Sequence, residues 1–168
     1  MSINHWIVKN LVCTLLLAVG GLNMYAQKDK YLIEAEAFQF KGKWSTDRSA
    51  DCMGSAMLRL NGGGSLDEQF DALTVVNIME EGDYNVWVRS ADYDKLPGTR
   101  LFRLSVDEKP MKESGKHGKV GFYWENAGCV QLAKKQVLLR LHDTKRNFGR
   151  CDAILLVKDH SINPNEMD

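Results

Sequence analysis

From Tyr31 to Val157 the chain is a string of short segments in which apolar and polar residues alternate, and turn signals separate them. A period of two sends successive side chains to opposite faces of a strand. In Tyr84-Asn85-Val86-Trp87-Val88-Arg89 this makes Tyr84, Val86 and Val88 a core face, with Trp87 and Arg89 on the other side. Strands are expected near residues 31–39, 56–60, 70–78, 83–90, 101–106, 128–132, 136–141 and 152–157, with a short one through 122–124. The turns between them include Asn61-Gly62-Gly63-Gly64, Glu81-Gly82-Asp83, Leu96-Pro97-Gly98 and Ala133-Lys134-Lys135. No segment has a helical period. The pattern predicts an all-β fold, an antiparallel β-sandwich. The glycine run is no phosphate loop, because no helix follows it.

Residues 1–26 stand apart as a secretory leader: Lys9, an apolar run from Leu11 to Val19, then Gly20-Gly21 and a small Ala26. The run is too short to span a bilayer, which takes about 20 apolar residues. An exported protein, at the cell surface, in the periplasm or in the medium, is implied. About 140 residues remain, enough for one domain with a core of its own. The domain is read as residues 27–160, with a polar, frayed tail over 161–168. The full chain balances 22 Lys and Arg against 22 Asp and Glu, and the leader removes only Lys9. Near-neutrality argues against a nucleic-acid partner. Of the cysteines outside the leader, Cys129 and Cys151 are the first pair to test for a disulfide, with Cys52 left over. Three plain buried thiols are the other reading.

Tyr31-Leu32-Ile33-Glu34-Ala35-Glu36-Ala37 places two carboxylates on one face of the opening strand, and Asp152 begins the closing strand. Adjacent carboxylates repel unless a cation answers them, and Ca²⁺ with oxygen ligands is one answer. A solvated pair on an edge strand is another. The densest polar loop, His142 to Arg150, includes Arg146 and holds a His142–Asp143 neighbour pair, yet no nucleophile motif accompanies it. Lysines between Asp107 and Lys119 read as a solvated loop.

Glu34-Ala35-Glu36, Gly82-Asp83-Tyr84-Asn85-Val86-Trp87-Val88-Arg89 and Asp152-Ala153-Ile154-Leu155 together resemble carbohydrate-binding modules of the family 6 and family 35 type. These are jelly-roll, galactose-binding-domain-like sandwiches. Trp44, Met53-Gly54-Ser55, Pro97-Gly98, Trp124 and Arg150-Cys151-Asp152 bring the resemblance nearest to accessory domains of secreted bacterial FAD-dependent oxidoreductases. The resemblance implies a structural Ca²⁺ held by Glu34, Glu36 and Asp152. It also implies a non-catalytic domain that binds a glycan and works beside a secreted carbohydrate-active enzyme. Sugars need aromatic rings for their C–H faces and polar forks for their hydroxyls. The candidates are Trp44, Arg89, Asp92, Trp124, Asp143 and Arg150, expected on loops at one end of the sandwich. A protein-interaction domain without a sugar site, and a small glycan hydrolase or lyase, are the rival readings.

Overall fold

The computed structural model describes residues 26–27, 29–49, 51–61, 70–144 and 148–167. Residues 1–25 of the expected leader, Gly62 to Gly64 and Arg146 lie outside the described residues. The strands are β1 (Ala26–Gln27), β2 (Lys30–Glu34), β3 (Trp44–Asp47), β4 (Met57–Leu60), β5 (Ala72–Asn77) and β6 (Gly82–Ala91). They continue as β7 (Phe102–Val106), β8 (Lys109–Ser114), β9 (Phe122–Leu132), β10 (Gln136–Asp143) and β11 (Arg150–Val157). Two antiparallel sheets form. One runs β1-β2-β11-β4-β3, with β6 also paired to β11 and β9 to β6; the other runs β5-β10-β7-β8. The all-β sandwich is as expected.

The core fills the space between the sheets, as alternation requires. Tyr31, Ile33, Tyr84, Val86, Val88, Ile154 and Leu156 point in from one sheet. Phe102, Leu104, Val106, Val137, Leu139 and Leu141 meet them from the other. Burying each such side chain contributes about 1.5–3 kcal/mol. β11 is the central strand, and its other face is apolar too. There Ala153, Leu155 and Val157 join Trp124, with Leu32, Met53, Trp87 and Ile162 packed against them. This second layer explains why Cys151 through Val157 are all buried.

Several expectations need correction. The opening strand stops at Glu34 and turns into a 3₁₀ segment, Ala35–Ala37, so Glu34 and Glu36 do not share a strand face. The segments 122–124 and 128–132 are one strand, β9. The lysine-rich stretch forms β8, an edge strand whose exposed Lys109, Pro110 and Lys112 discourage further pairing. Cys129 and Cys151 cannot be bonded to each other: they pair with β6 at Asn85 and Ser90, on opposite sides of that strand. All three described thiols are free, Cys129 exposed and Cys151 buried. The tail is not frayed. Asn163 caps a 3₁₀ turn, Pro164–Glu166. Asn165 then accepts from the Trp124 backbone N–H and donates to its carbonyl, both at 2.9 Å.

Candidate functional site

Three polar regions stand out, and the first two are built by strand ends. The first joins the ends of β2 and β11 through the loop at Met53-Gly54-Ser55. Glu36 Oε1 accepts from the Ser55 N–H at 2.8 Å and the Ala56 N–H at 3.1 Å. Both Asp152 oxygens accept from the Met53 N–H, at 3.2 and 3.1 Å. Gly54 lies against the glutamates: a Cβ there would sit 2.6 Å from Glu36 Oε1 and 2.9 Å from Glu34 Oε1. Burial, then the charges of Glu36 and Asp152, raises the Glu34 pKa. Burial raises the Asp152 pKa as well, against the opposing pull of Arg89, whose Nη1 pairs with Asp152 Oδ2. Arg89 also lies 4.8 Å from the Phe122 ring. Glu36 Oε2 is buried without a hydrogen-bond partner. Oxygen-rich donors with one orphan oxygen suit a hard cation. Yet Asp152 is already answered by arginine, and among the described residues no three His, Cys, Asp or Glu side chains are spaced as a closed coordinating set.

The second region is the end of the sandwich where β11 begins. The Arg100 guanidinium lies 5.2 Å from the Tyr93 ring and 5.0 Å from the Phe148 ring, and Arg150 follows two residues after Phe148. Phe148 holds φ at +71°, a conformation that bulky residues adopt at a cost of about 1–3 kcal/mol. Phe148 remains 40% exposed. Arg150 is paired across strands with Arg59, which bridges to Asp47 at 2.7 Å. Burial, Arg100 and Arg59 lower the Arg150 pKa, while Asp47 raises it.

The third region is a cleft of about 310 Å³ on the outer face of the four-stranded sheet, lined by residues including Asp71, Arg103, Ser105, His142 and Asp143. His142 Nε2 is 2.7 Å from Ser105 Oγ, and Nδ1 is 2.8 Å from Asp71 Oδ2. The partner of His142 is therefore Asp71, not its neighbour Asp143. The distances match a nucleophile triad. However, Ser105 lies inside a strand paired on both sides. A serine nucleophile sits instead on a sharp turn, with N–H groups free beside it for an oxyanion. The arrangement reads as a polar brace from Asp71, just before β5, through β10 to β7.

The six expected ligand residues do not make one site. Trp44 is 3% exposed, packed edge-on against Phe102 at 5.6 Å; it starts β3 and is core, so no sugar can stack on it. Asp92 is buried beneath its loop, accepting from the N–H groups of Tyr93, Gly98 and Gly118. It shapes the loop rather than facing solvent. Arg89 and Trp124 line a hollow of about 420 Å³ on the outer face of the seven-stranded sheet, with Phe122, Leu155 and Met53. Trp124 is only 7% exposed there. Asp143 belongs to the opposite sheet's cleft, and Arg150 to the loop end. Arg100 and Phe148 were missed as site residues. Tyr93, Arg100 and Phe148 are brought together only by folding, although an aromatic just before Gly149-Arg150 was a usable signal.

No family profile and no characterised protein matches the chain by sequence. Solved structures do match in shape. The GH26-CBM35 β-(1,4)-mannanase of Podospora anserina superposes at TM-score 0.63 and 17% identity, over 83% of this chain and 31% of that one. A family 35 carbohydrate-binding module from Clostridium thermocellum gives 0.60 at 18% identity, over 75% of this chain and 97% of the module. The C-terminal CBM6 of LamC, a laminarinase from Zobellia galactanivorans, gives 0.61 at 15% identity, over 77% and 100%. The chain thus spans about a third of the mannanase and nearly the whole of the isolated modules. At these identities the likeness establishes the sandwich fold.

Proposed function

We propose that this chain is a non-catalytic carbohydrate-binding domain whose ligand face is the loop end carrying Tyr93, Arg100, Phe148 and Arg150. The shape it shares with known binding modules supports the reading. The observation that carries it is exposed Phe148, its ring set against the Arg100 guanidinium. A pyranose needs that pairing: an aromatic surface for C–H groups beside a planar fork of donors for hydroxyls. Such a domain adheres and leaves bond breaking to a partner. A secreted carbohydrate-active enzyme is the partner proposed, and the leader-like segment supports export.

The test is an affinity-gel and glycan-array screen of the protein without residues 1–26, repeated with Phe148→Ala. The variant is expected to lose about 1–3 kcal/mol of glycan binding, as a stacking anchor does, with its melting point held. A folded wild-type protein that retains no glycan in either assay would leave the protein-interaction reading in its place.

The same proposal includes a structural Ca²⁺ at the junction of β2 and β11. Glu34 and Glu36 would supply carboxylate oxygens, the buried Glu36 Oε2 among them, and Asp152 would contribute from the closing strand. The cation would neutralise a cluster in which burial, then Glu36 and Asp152, raise the Glu34 pKa, and would pin the first long strand to the last. It would take no part in ligand chemistry.

A further inference from the structure

We propose that the loops carrying Leu96 and Val120 dock the domain on an anionic lipid bilayer, the two aliphatic side chains entering it and the lysines around them meeting its phosphates. The inference does not depend on the glycan reading. One loop joins β6 to β7 over residues 92–101, and the other joins β8 to β9 over 115–121. Leu96 is 60% exposed and Val120 83%. Single exposed aliphatic residues are ordinary on a protein surface, but these two are held on neighbouring loops. Asp92 accepts from the Gly98 N–H on one loop at 3.2 Å and from the Gly118 N–H on the other at 2.8 Å. A Cβ on Gly118 would lie 3.2 Å from the Pro97 ring. His117 fastens the second loop further: its Nε2 is 3.1 Å from the Ser90 carbonyl oxygen, and its Nδ1 accepts from the Lys119 N–H at 3.1 Å. A Cβ on Gly98 or Gly121 would meet no neighbour within 4 Å, so both tips face open space.

Charge selects the partner. Lys95, Lys116 and Lys119 flank the tips and are exposed, and among the described residues none of them makes an ion pair. Lys119 Nζ rests over the Tyr123 ring at 3.4 Å. Three acids stand near. Asp92 is buried beneath its loop. Glu125 lies at the base of the second loop, where its carboxylate accepts from the Gly115 and Lys116 N–H groups at 2.6 and 3.2 Å. Only Asp94 is exposed beside the tips, one acid against three lysines. The core of a protein interface is depleted in lysine, and a sugar ring stacks on a flat aromatic face that neither tip offers. A bilayer has an apolar interior beneath a layer of phosphates. Aliphatic tips ringed by lysines match that order of depth, the apolar groups reaching the acyl boundary while the lysines add attraction to anionic headgroups.

The experiment is cosedimentation with vesicles of phosphatidylcholine, alone or mixed equally with phosphatidylglycerol. The protein is used without residues 1–26, because their apolar run would itself enter a bilayer. The anionic vesicles are expected to bind it about tenfold or more tighter than the neutral ones, and that margin should shrink as salt is raised. Leu96→Ser combined with Val120→Ser should weaken the anionic binding about tenfold. Lys95→Gln, Lys116→Gln and Lys119→Gln together should remove the difference between vesicles, and Asp94→Asn should widen it. Melting points verify that each variant folds. Anionic binding unchanged in the folded double serine variant would overturn the proposal, because the tips then stay out of the membrane. So would a preference untouched by the three glutamines, equal retention by both vesicle types, or retention by neither. Displacement by soluble glycerol phosphate would overturn it too, by assigning the lysines to a small anion. Each of these results leaves the glycan reading standing.

Discussion

Gly54 shows at residue scale how one position can serve three carboxylates. Its φ of +81° lets the chain turn so that the N–H groups of Met53, Ser55 and Ala56 converge on Asp152 and Glu36. A Cβ has no room, with Glu36 Oε1 at 2.6 Å and Glu34 Oε1 at 2.9 Å. Gly54→Ala is therefore expected to cost about 1–3 kcal/mol through strain and displacement of the glutamates, read as a lowered urea midpoint. An unchanged midpoint would mean that the loop is not rigid enough to orient them. Met53-Gly54-Ser55 could be picked out in the sequence as part of a resemblance. Its physical role could not, because the carboxylates it holds lie 19 and 99 residues away.

At the scale of elements, strands with a clean period of two were legible. β6 lies close to where alternation puts it, with Tyr84, Val86 and Val88 fully buried. β3 and β8 were not legible, since short polar strands lack an alternating apolar face and take their shape from neighbours. The opening strand taught the opposite lesson. Alternation was extended through Glu36, but the chain bends into a 3₁₀ turn after Glu34, and the carboxylates converge through that bend. The β2–β11 junction is where a cation would act on stability. If Ca²⁺ binds there, melting in Ca²⁺ at 100 times the dissociation constant should exceed melting in EDTA by about 2.7 kcal/mol of stability. Glu36→Gln should narrow the gap. Identical melting curves in the two buffers would remove the metal and leave Arg89 as the counter-charge of Asp152.

Over the whole molecule, sandwich architecture was readable and the grouping of site residues was not. Strand ends can be found in sequence, but not which sheet or which end of the sandwich each will join. Arg89 and Asp143 both sit near strand ends, yet they line hollows on the outer faces of different sheets. Arg100 and Phe148 meet only because β7 and β11 start at the same end. The thiols report on the integrity of this whole. Cys151 is fully buried between β4 and β6, and burial lifts its pKa well above the usual thiol value. It should react with a maleimide only at the rate of global opening, while exposed Cys129 reacts at once. Rapid native labelling of Cys151 would mean that β11 detaches locally.

Among the described residues β9 pairs only with β6, so its outer edge ends the seven-stranded sheet. At Trp124 that edge is occupied by the side-chain amide of Asn165, which offers an acceptor and a donor as a neighbouring peptide group would. A single asparagine thus impersonates one residue of a missing strand. The open rung beside the most apolar part of the outer face is closed to a second copy of the chain, and the protein is protected there from sheet-to-sheet polymerisation.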